Sequence, residues 1–196
     1  EPKREMIAEI AATIAFSAIQ NNDKIGVIFF SDRVEKFIPP KKGRKHILFI
    51  IRELLDFKPE HSATDIACVL RYFTDALKKR ATTFLISDFI DQHDYSKALS
   101  VARNRHDVIA LQVYDKRDSQ MPDVGLIRLA DLETGREQWI DTSSKRVRSS
   151  YNKWWYERQQ AMTETMRKAR VDVSSVSTDE DYIAALMALF RRRGNR

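Results

Sequence analysis

Apolar residues recur at three- and four-residue spacing through Ile7, Ile10, Ala11, Ile14, Ala15 and Ala18, which predicts an amphipathic helix over about residues 3–20. Asn21-Asn22-Asp23-Lys24 ends it. The unbroken apolar run Ile25-Gly26-Val27-Ile28-Phe29-Phe30 follows, the pattern of a strand buried on both faces beneath helices. Ser31-Asp32-Arg33 turns the chain into Val34–Ile38, whose alternation predicts an edge strand that Pro39-Pro40 stops. One helix is expected around Ile47, Leu48, Ile51, Leu54 and Leu55, and another around Ile66, Val69, Leu70, Phe73 and Leu77. Thr82–Ser87 reads as a second buried strand, a helix carrying Leu99 and Ala102 comes next, and Val108–Tyr114 is a third strand. Alternating strands and helices predict an α/β fold with a mainly parallel sheet.

Beyond Asp115 the pattern changes. Gly125–Asp131 and Glu137–Ile140 predict a hairpin turning through Glu133-Thr134-Gly135-Arg136. A long polar helix is expected over about residues 143–169, then a last strand over Val171–Val176. Ile183, Leu186, Met187 and Phe190 close the chain on an amphipathic helix whose start is marked by Ser177-Thr178-Asp179-Glu180. No repeat or low-complexity linker divides the sequence, so residues 1–196 read as one domain with 143–196 packed on the same core.

Composition narrows the classes. Thirty-four Lys and Arg stand against 28 Asp and Glu, for a net charge of +6, and 43% of residues are hydrophobic, which excludes disorder, collagen and a pure coiled coil. Unbroken apolar runs such as Ile25–Phe30 are too short to span a bilayer. Cys68 stands alone, which excludes a disulfide scaffold or a multi-cysteine zinc site and fits a reducing, cytoplasmic setting. The first residue is Glu1 and no signal-peptide pattern follows, so the chain reads as a fragment beginning partway into a domain. The surplus charge sits in Arg191-Arg192-Arg193, Arg196 and Lys41-Lys42-Gly43-Arg44-Lys45. These runs read as solvated, without the aromatic-and-basic signature of a nucleic-acid binder.

Two places put carboxylates or hydroxyls at the carboxyl ends of strands, where open α/β sheets hold ligands. Thr64-Asp65 precedes one helix and also reads as its cap; Asp88 follows the strand Thr82–Ser87 and also reads as an acceptor of loop N–H groups. Asp88, Asp91, His93 and Asp94 form a metal-like cluster, although Asp94 doubles as a helix cap. His46, His61 and His106 read as surface or loop histidines. Cys68, expected to face the core beside Val69, lacks a basic activator. The five glycines form no phosphate loop. Trp154-Trp155-Tyr156 cannot all face one way and read as packing residues or an interaction surface.

Read in order, a longer set of motifs carries a resemblance. Asn22–Glu35, Ile38–Arg44, Thr64-Asp65-Ile66, Leu85-Ile86-Ser87-Asp88-Phe89, Arg105-His106-Asp107-Val108, Pro122–Leu126 and Asp141-Thr142-Ser143-Ser144 together resemble the bacterial domain-of-unknown-function 58 family, over about residues 3–150. The resemblance implies a Rossmann-like, von Willebrand factor A-type three-layer sandwich, mostly parallel with an antiparallel edge strand. It also implies a metal-ion-dependent adhesion site in the better-equipped members. Such a site takes Asp-x-Ser-x-Ser after the first strand, a Thr from a second loop and an Asp from a third; Thr64 and Asp88 match the last two. The Asp-x-Ser-x-Ser loop and the strand before it do not occur here. Mg²⁺ demands six oxygens, so no cofactor is expected in this chain, though the intact protein could hold Mg²⁺.

The function so implied is a non-enzymatic protein-interaction module, partnered with a MoxR-type AAA+ ATPase in assembly or maturation. The alternative is a metal-dependent hydrolase or nuclease using Asp88, Asp91, His93 and Asp94. In the resembled fold the absent strand lies between Ile25–Ser31 and Thr82–Ser87. Two open edges would then face each other, with a homodimer or strand exchange as the expected remedy.

Overall fold

The elements follow the apolar pattern closely. In the computed structural model, which describes residues 2–61, 63–130 and 137–194, helix α1 (Pro2–Gln20) leads to strands β1 (Ile25–Phe30) and β2 (Val34–Lys41). Helices α2 (Arg44–Asp56) and α3 (Ile66–Ala76) follow, then β3 (Thr82–Ser87), α4 (Ser96–Arg105) and β4 (Asp107–Tyr114). The chain continues through α5 (Lys116–Ser119), β5 (Leu126–Ala130), β6 (Glu137–Asp141), α6 (Lys145–Ala169), β7 (Asp172–Ser177) and α7 (Tyr182–Gly194). The strands form a parallel sheet of order β3-β4-β7 and two antiparallel pairs, β1-β2 and β5-β6. The turn expected between β5 and β6 lies outside the described residues.

Helices cover both faces of the parallel sheet, because alternate side chains of β4 point opposite ways. Ile109, Leu111 and Val113 meet Met6 and Ile10 of α1 and Leu186 and Leu189 of α7. Val108 and Ala110, with Leu85 of β3, meet α3, α4 and α6 through residues such as Leu70, Leu99 and Met166. A smaller cluster of Phe29, Ile38 and Ile50 joins β1, β2 and α2. The segment after Thr142 contributes to the two larger clusters through Met162, Met166, Val176, Leu186 and Leu189.

Several expectations are corrected. Of the β1 strand, only Phe29 is buried; the other five residues are half-buried. The reason is topological. Among the described residues β1 pairs only with β2 and β3 only with β4, so each has one open edge and loses the cover a neighbour would give. Strand β2 does not stop at Pro39-Pro40 but runs to Lys41. Among the described residues it pairs only with β1, and its register shifts between Val27↔Ile38 and Ile25↔Lys41, so the irregularity takes up the prolines. Gly26 sits in that shift, where an added Cβ would lie 2.6 Å from the Ile38 carbonyl oxygen. Cys68 is half-buried rather than set in the core. His106, expected at the surface, is 1% exposed, because it packs with its ring centroid 4.4 Å from that of Phe73. Ser177 belongs to β7 rather than to the start of α7. Trp155 is buried, while Trp154 and Tyr156 of the same turn are exposed.

Candidate functional site

Three loops converge at the carboxyl ends of β1 and β3. The buried Ser31, first residue after β1, accepts a hydrogen bond through its carbonyl from the Asp65 amide at 3.0 Å. Asp65 caps α3, its Oδ1 accepting from the Cys68 amide at 2.7 Å. One residue on, the Ile66 amide donates to Oδ2 of Asp91 at 2.7 Å, which ties α3 to the loop after β3. The carboxyl ends of β1 and β3 therefore lie together, although the two strands share no ladder.

Asp91 is the hub. Its side chain is fully buried, and its Oδ1 accepts from both the His93 amide at 2.8 Å and the His93 ring at 2.9 Å. The ring of His93 also meets the Thr64 carbonyl. The hydrogen bond and negative charge of Asp91 raise the His93 pKa, with Asp65 adding to the effect against desolvation. Arg158 of α6 donates to the Asp91 carbonyl and lies with its guanidinium carbon 5.3 Å from the centre of the Trp154 ring. Asp65, Asp91 and His93 bring ligand atoms within 4.8 Å of one another.

Asp88 has other partners. Its Oδ1 accepts from the Ile90 amide at 3.1 Å, and its Oδ2 lies 3.4 Å from the Lys3 ammonium, which also donates to Asp118 at 2.8 Å. Burial presses the Lys3 pKa down, but the hydrogen bond to Asp118 and the charge of Asp88 outweigh it, and the net shift is upward. The Asp88 carbonyl accepts from Nε2 of the buried Gln112 at 3.3 Å, and Gln112 Oε1 accepts from Ser175 at 2.8 Å, which links the loop to β4 and β7. The next residue, Phe89, has φ of 58° in the left-handed region, a conformation that costs a non-glycine residue roughly 1–2 kcal/mol. Its buried ring, in the cluster with Leu85 and Tyr95, holds it there. Asp94 accepts from the Ser96 amide at 2.9 Å, and its hydrogen bonds with Ser96 keep its pKa low.

The expected cluster is thus rearranged. Among the described residues Asp91 and His93 group with Asp65, not with Asp88 or Asp94. Thr64 and Asp88 stand in loops that meet at the same end, Thr64 beside the α3 cap and Asp88 directly after β3. Two such residues do not complete an octahedral oxygen shell, and the Lys3 ammonium already supplies positive charge at Asp88. Sequence reasoning missed Lys3 and Arg158, which reach the site across 85 and 67 residues. It saw in Asp65 the helix cap but not the neighbour of Asp91. Two surface hollows lie elsewhere, between α1 and α2, one lined by Phe16, Ile19, Gln20 and Arg44 and the other by Arg4, Glu5, Ala8, Leu54 and Leu55.

The family model described as "Protein of unknown function DUF58" matches residues 1–161. An uncharacterized protein of Mycobacterium tuberculosis is 27% identical over 198 residues, which cover 98% of this chain and 62% of the relative. The chain therefore spans less than two thirds of that relative. An uncharacterized protein of Mycobacterium avium is 28% identical over 163 residues, covering 80% of this chain and 95% of its own. Among solved structures, the fold is similar to conserved hypothetical protein BatB from Bacteroides thetaiotaomicron, with a TM-score of 0.60 and 13% identity over 98% of this chain and 89% of that one. It is also similar to an aerotolerance-related membrane protein from Bacteroides fragilis, with a TM-score of 0.59 and 14% identity over 96% and 89% of the two chains. At such identities the likeness is one of fold alone.

Proposed function

Since the chain belongs to the DUF58 family, we propose that it is a von Willebrand factor A-like interaction module that binds a protein partner and catalyses no reaction. In this reading the chain is one domain, and its strands are a Rossmann-like sheet with β2 as the antiparallel edge. The central strand between β1 and β3 is missing. The partner is a MoxR-type AAA+ ATPase, engaged in assembly or maturation in the cytoplasm. Thr64 and Asp88 are two ligands of an adhesion site that is incomplete in this chain, and Mg²⁺ joins only where the remaining oxygens are supplied.

The observation that carries the reading is the convergence of loops at the carboxyl ends of β1 and β3 through the Ser31–Asp65 and Asp91–Ile66 bonds. That is where an open α/β sheet presents residues to a ligand. The similarity in fold to BatB supports the architecture. No helix among the described residues is long and apolar enough to cross a membrane. The test is calorimetric titration of the purified chain with the MoxR-type ATPase of the same genome, with and without Mg²⁺. Saturable binding that needs no Mg²⁺ and weakens in Asp88→Ala is expected; the absence of binding by either route overturns the reading.

One observation favours a second reading, a metal-dependent hydrolase or nuclease: the close grouping of Asp91 and His93 with Asp65. It ranks lower because both Asp91 oxygens already accept hydrogen bonds from the fold. Phosphodiester cleavage that requires Mn²⁺ and disappears in His93→Ala is the result that would favour it.

A further inference from the structure

The geometry points to a docking surface for anionic lipid at the end of the molecule opposite the loops just described. Register places Lys41 beside Ile25, the first residue of β1, so Lys24, Lys41, Lys42, Arg44 and Lys45 gather at one corner. All five are exposed, and none is ion-paired among the described residues. The acid of this corner, Asp23 in the α1–β1 turn, leaves a strong positive excess. Some cations elsewhere are spent in pairs, such as Arg193 with Asp107 and Asp172 or Lys116 with Asp179.

Apolar side chains stand exposed among these charges. Phe16 on the last turns of α1 is 51% exposed, and Leu48 and Phe49 in the first turns of α2 are 48% and 45% exposed. Arg44 and Phe16 line one shallow hollow between the two helices, which fixes the aromatic ring next to the basic run. Leu48 lies one helical turn after Arg44, and Phe49 one turn after Lys45.

Basic residues around exposed apolar side chains are the composition of a surface that lies on a bilayer, the rings entering the headgroup boundary and the ammonium groups meeting lipid phosphates. Four of the five cations are Lys, point charges on flexible stems that suit a fluid array of headgroups. Recognition of a fixed carboxylate or phosphate by a folded partner favours the planar fork of Arg. Docked this way, the molecule turns the carboxyl ends of β1 and β3 away from the membrane.

The test is co-sedimentation of the full chain with vesicles of phosphatidylglycerol and phosphatidylcholine, against vesicles of phosphatidylcholine alone. Binding to the anionic vesicles only, weakening as salt rises, is expected. Lys41→Glu/Lys42→Glu should weaken it on the order of thirtyfold or more. Phe16→Ser/Phe49→Ser should weaken it with the salt dependence intact, and Arg191→Glu/Arg192→Glu should leave it unchanged. Circular dichroism and melting curves verify that each variant is folded, and the comparison of vesicles and salt on the unaltered chain stands whatever the variants do. No sedimentation with anionic vesicles at low salt overturns the proposal. Equal loss in the Arg191/Arg192 variant also overturns it, since binding would then follow overall charge. So does equal binding of a single-stranded RNA oligonucleotide that ignores the Phe substitutions.

Discussion

The open edges of β1 and β3 make a quantitative prediction about association. Both strands carry apolar residues that remain half-buried, Ile25, Val27, Ile28 and Phe30 on β1 and Phe84 and Ile86 on β3. A strand filling the space between them buries about four apolar side chains at roughly 1.5–3 kcal/mol each, or about 6–12 kcal/mol. Each ladder hydrogen bond adds about 0.5–1.5 kcal/mol. Those sums rival the whole stability of a domain, about 5–15 kcal/mol. A monomer with both edges open should therefore be marginal, and two copies should relieve each other by pairing or exchanging strands. Light scattering over a range of concentrations should show mass rising from one chain toward two, and the melting temperature should rise with it. Thr82→Lys, at an exposed position on β3, blunts the edge with charge and should shift the population toward the monomer. A chain that stays monomeric at every concentration, with an unfolding free energy near about 15 kcal/mol, would refute the reasoning.

Three further predictions concern single positions. Both ring nitrogens of the buried His106 lack a hydrogen-bond partner, so His106→Leu should stabilise the fold by about 1–3 kcal/mol in urea titrations. Desolvation, with the charges of Arg105 and Arg80, depresses the His106 pKa below 6.5. The unfolded chain therefore takes up that proton first, and stability should be full above about pH 6.5 and fall as the pH drops below it; His106→Leu should remove that part of the slope. Gly26→Ala drives a Cβ to 2.6 Å from the Ile38 carbonyl oxygen and 2.8 Å from the Pro40 nitrogen, both backbone atoms, and should cost roughly 1–3 kcal/mol as overpacking, read as a lowered melting temperature. Arg193→Ala removes the guanidinium that joins Asp107 of β4 to Asp172 of β7 and should cost about 1.5–3 kcal/mol in the same urea assay.

What could be read from the sequence was whatever depends on near neighbours. The extent of the strand Ile25–Phe30, the spacing from Ile66 to Phe73 and the cap at Asp65 are local, and all three occur as expected, although the burial of that strand does not. What escaped depends on distant partners. Pro39-Pro40 reads as a stop because nothing in the sequence shows that the ladder shifts there and that Gly26 makes room. His106 reads as a surface or loop histidine until Phe73 is brought against it from 33 positions earlier. Helix α5, four residues long, is too short to leave a periodic trace. At the candidate site the acids were visible but their grouping was not. Asp65 joins Asp91 and His93 because the Ile66 amide bonds to Asp91, while Asp88 turns to Lys3, 85 residues earlier.

The place of β4 in the sheet bears on how the molecule is made on the ribosome. Strand β4 is the middle of the parallel sheet, and its residues Val108–Val113 are all buried. One neighbour, β3, precedes it, but the other, β7, is met only later, Ser175 lying 63 residues beyond Gln112. At a synthesis rate of about 5–20 residues per second, an emerging β4 waits on the order of 3–13 s for that neighbour. During that interval a sticky apolar edge stands exposed while the hairpin and α6 are still being made. The nascent chain is then a natural client for holding chaperones, and β4 escapes that hazard only when β7 docks.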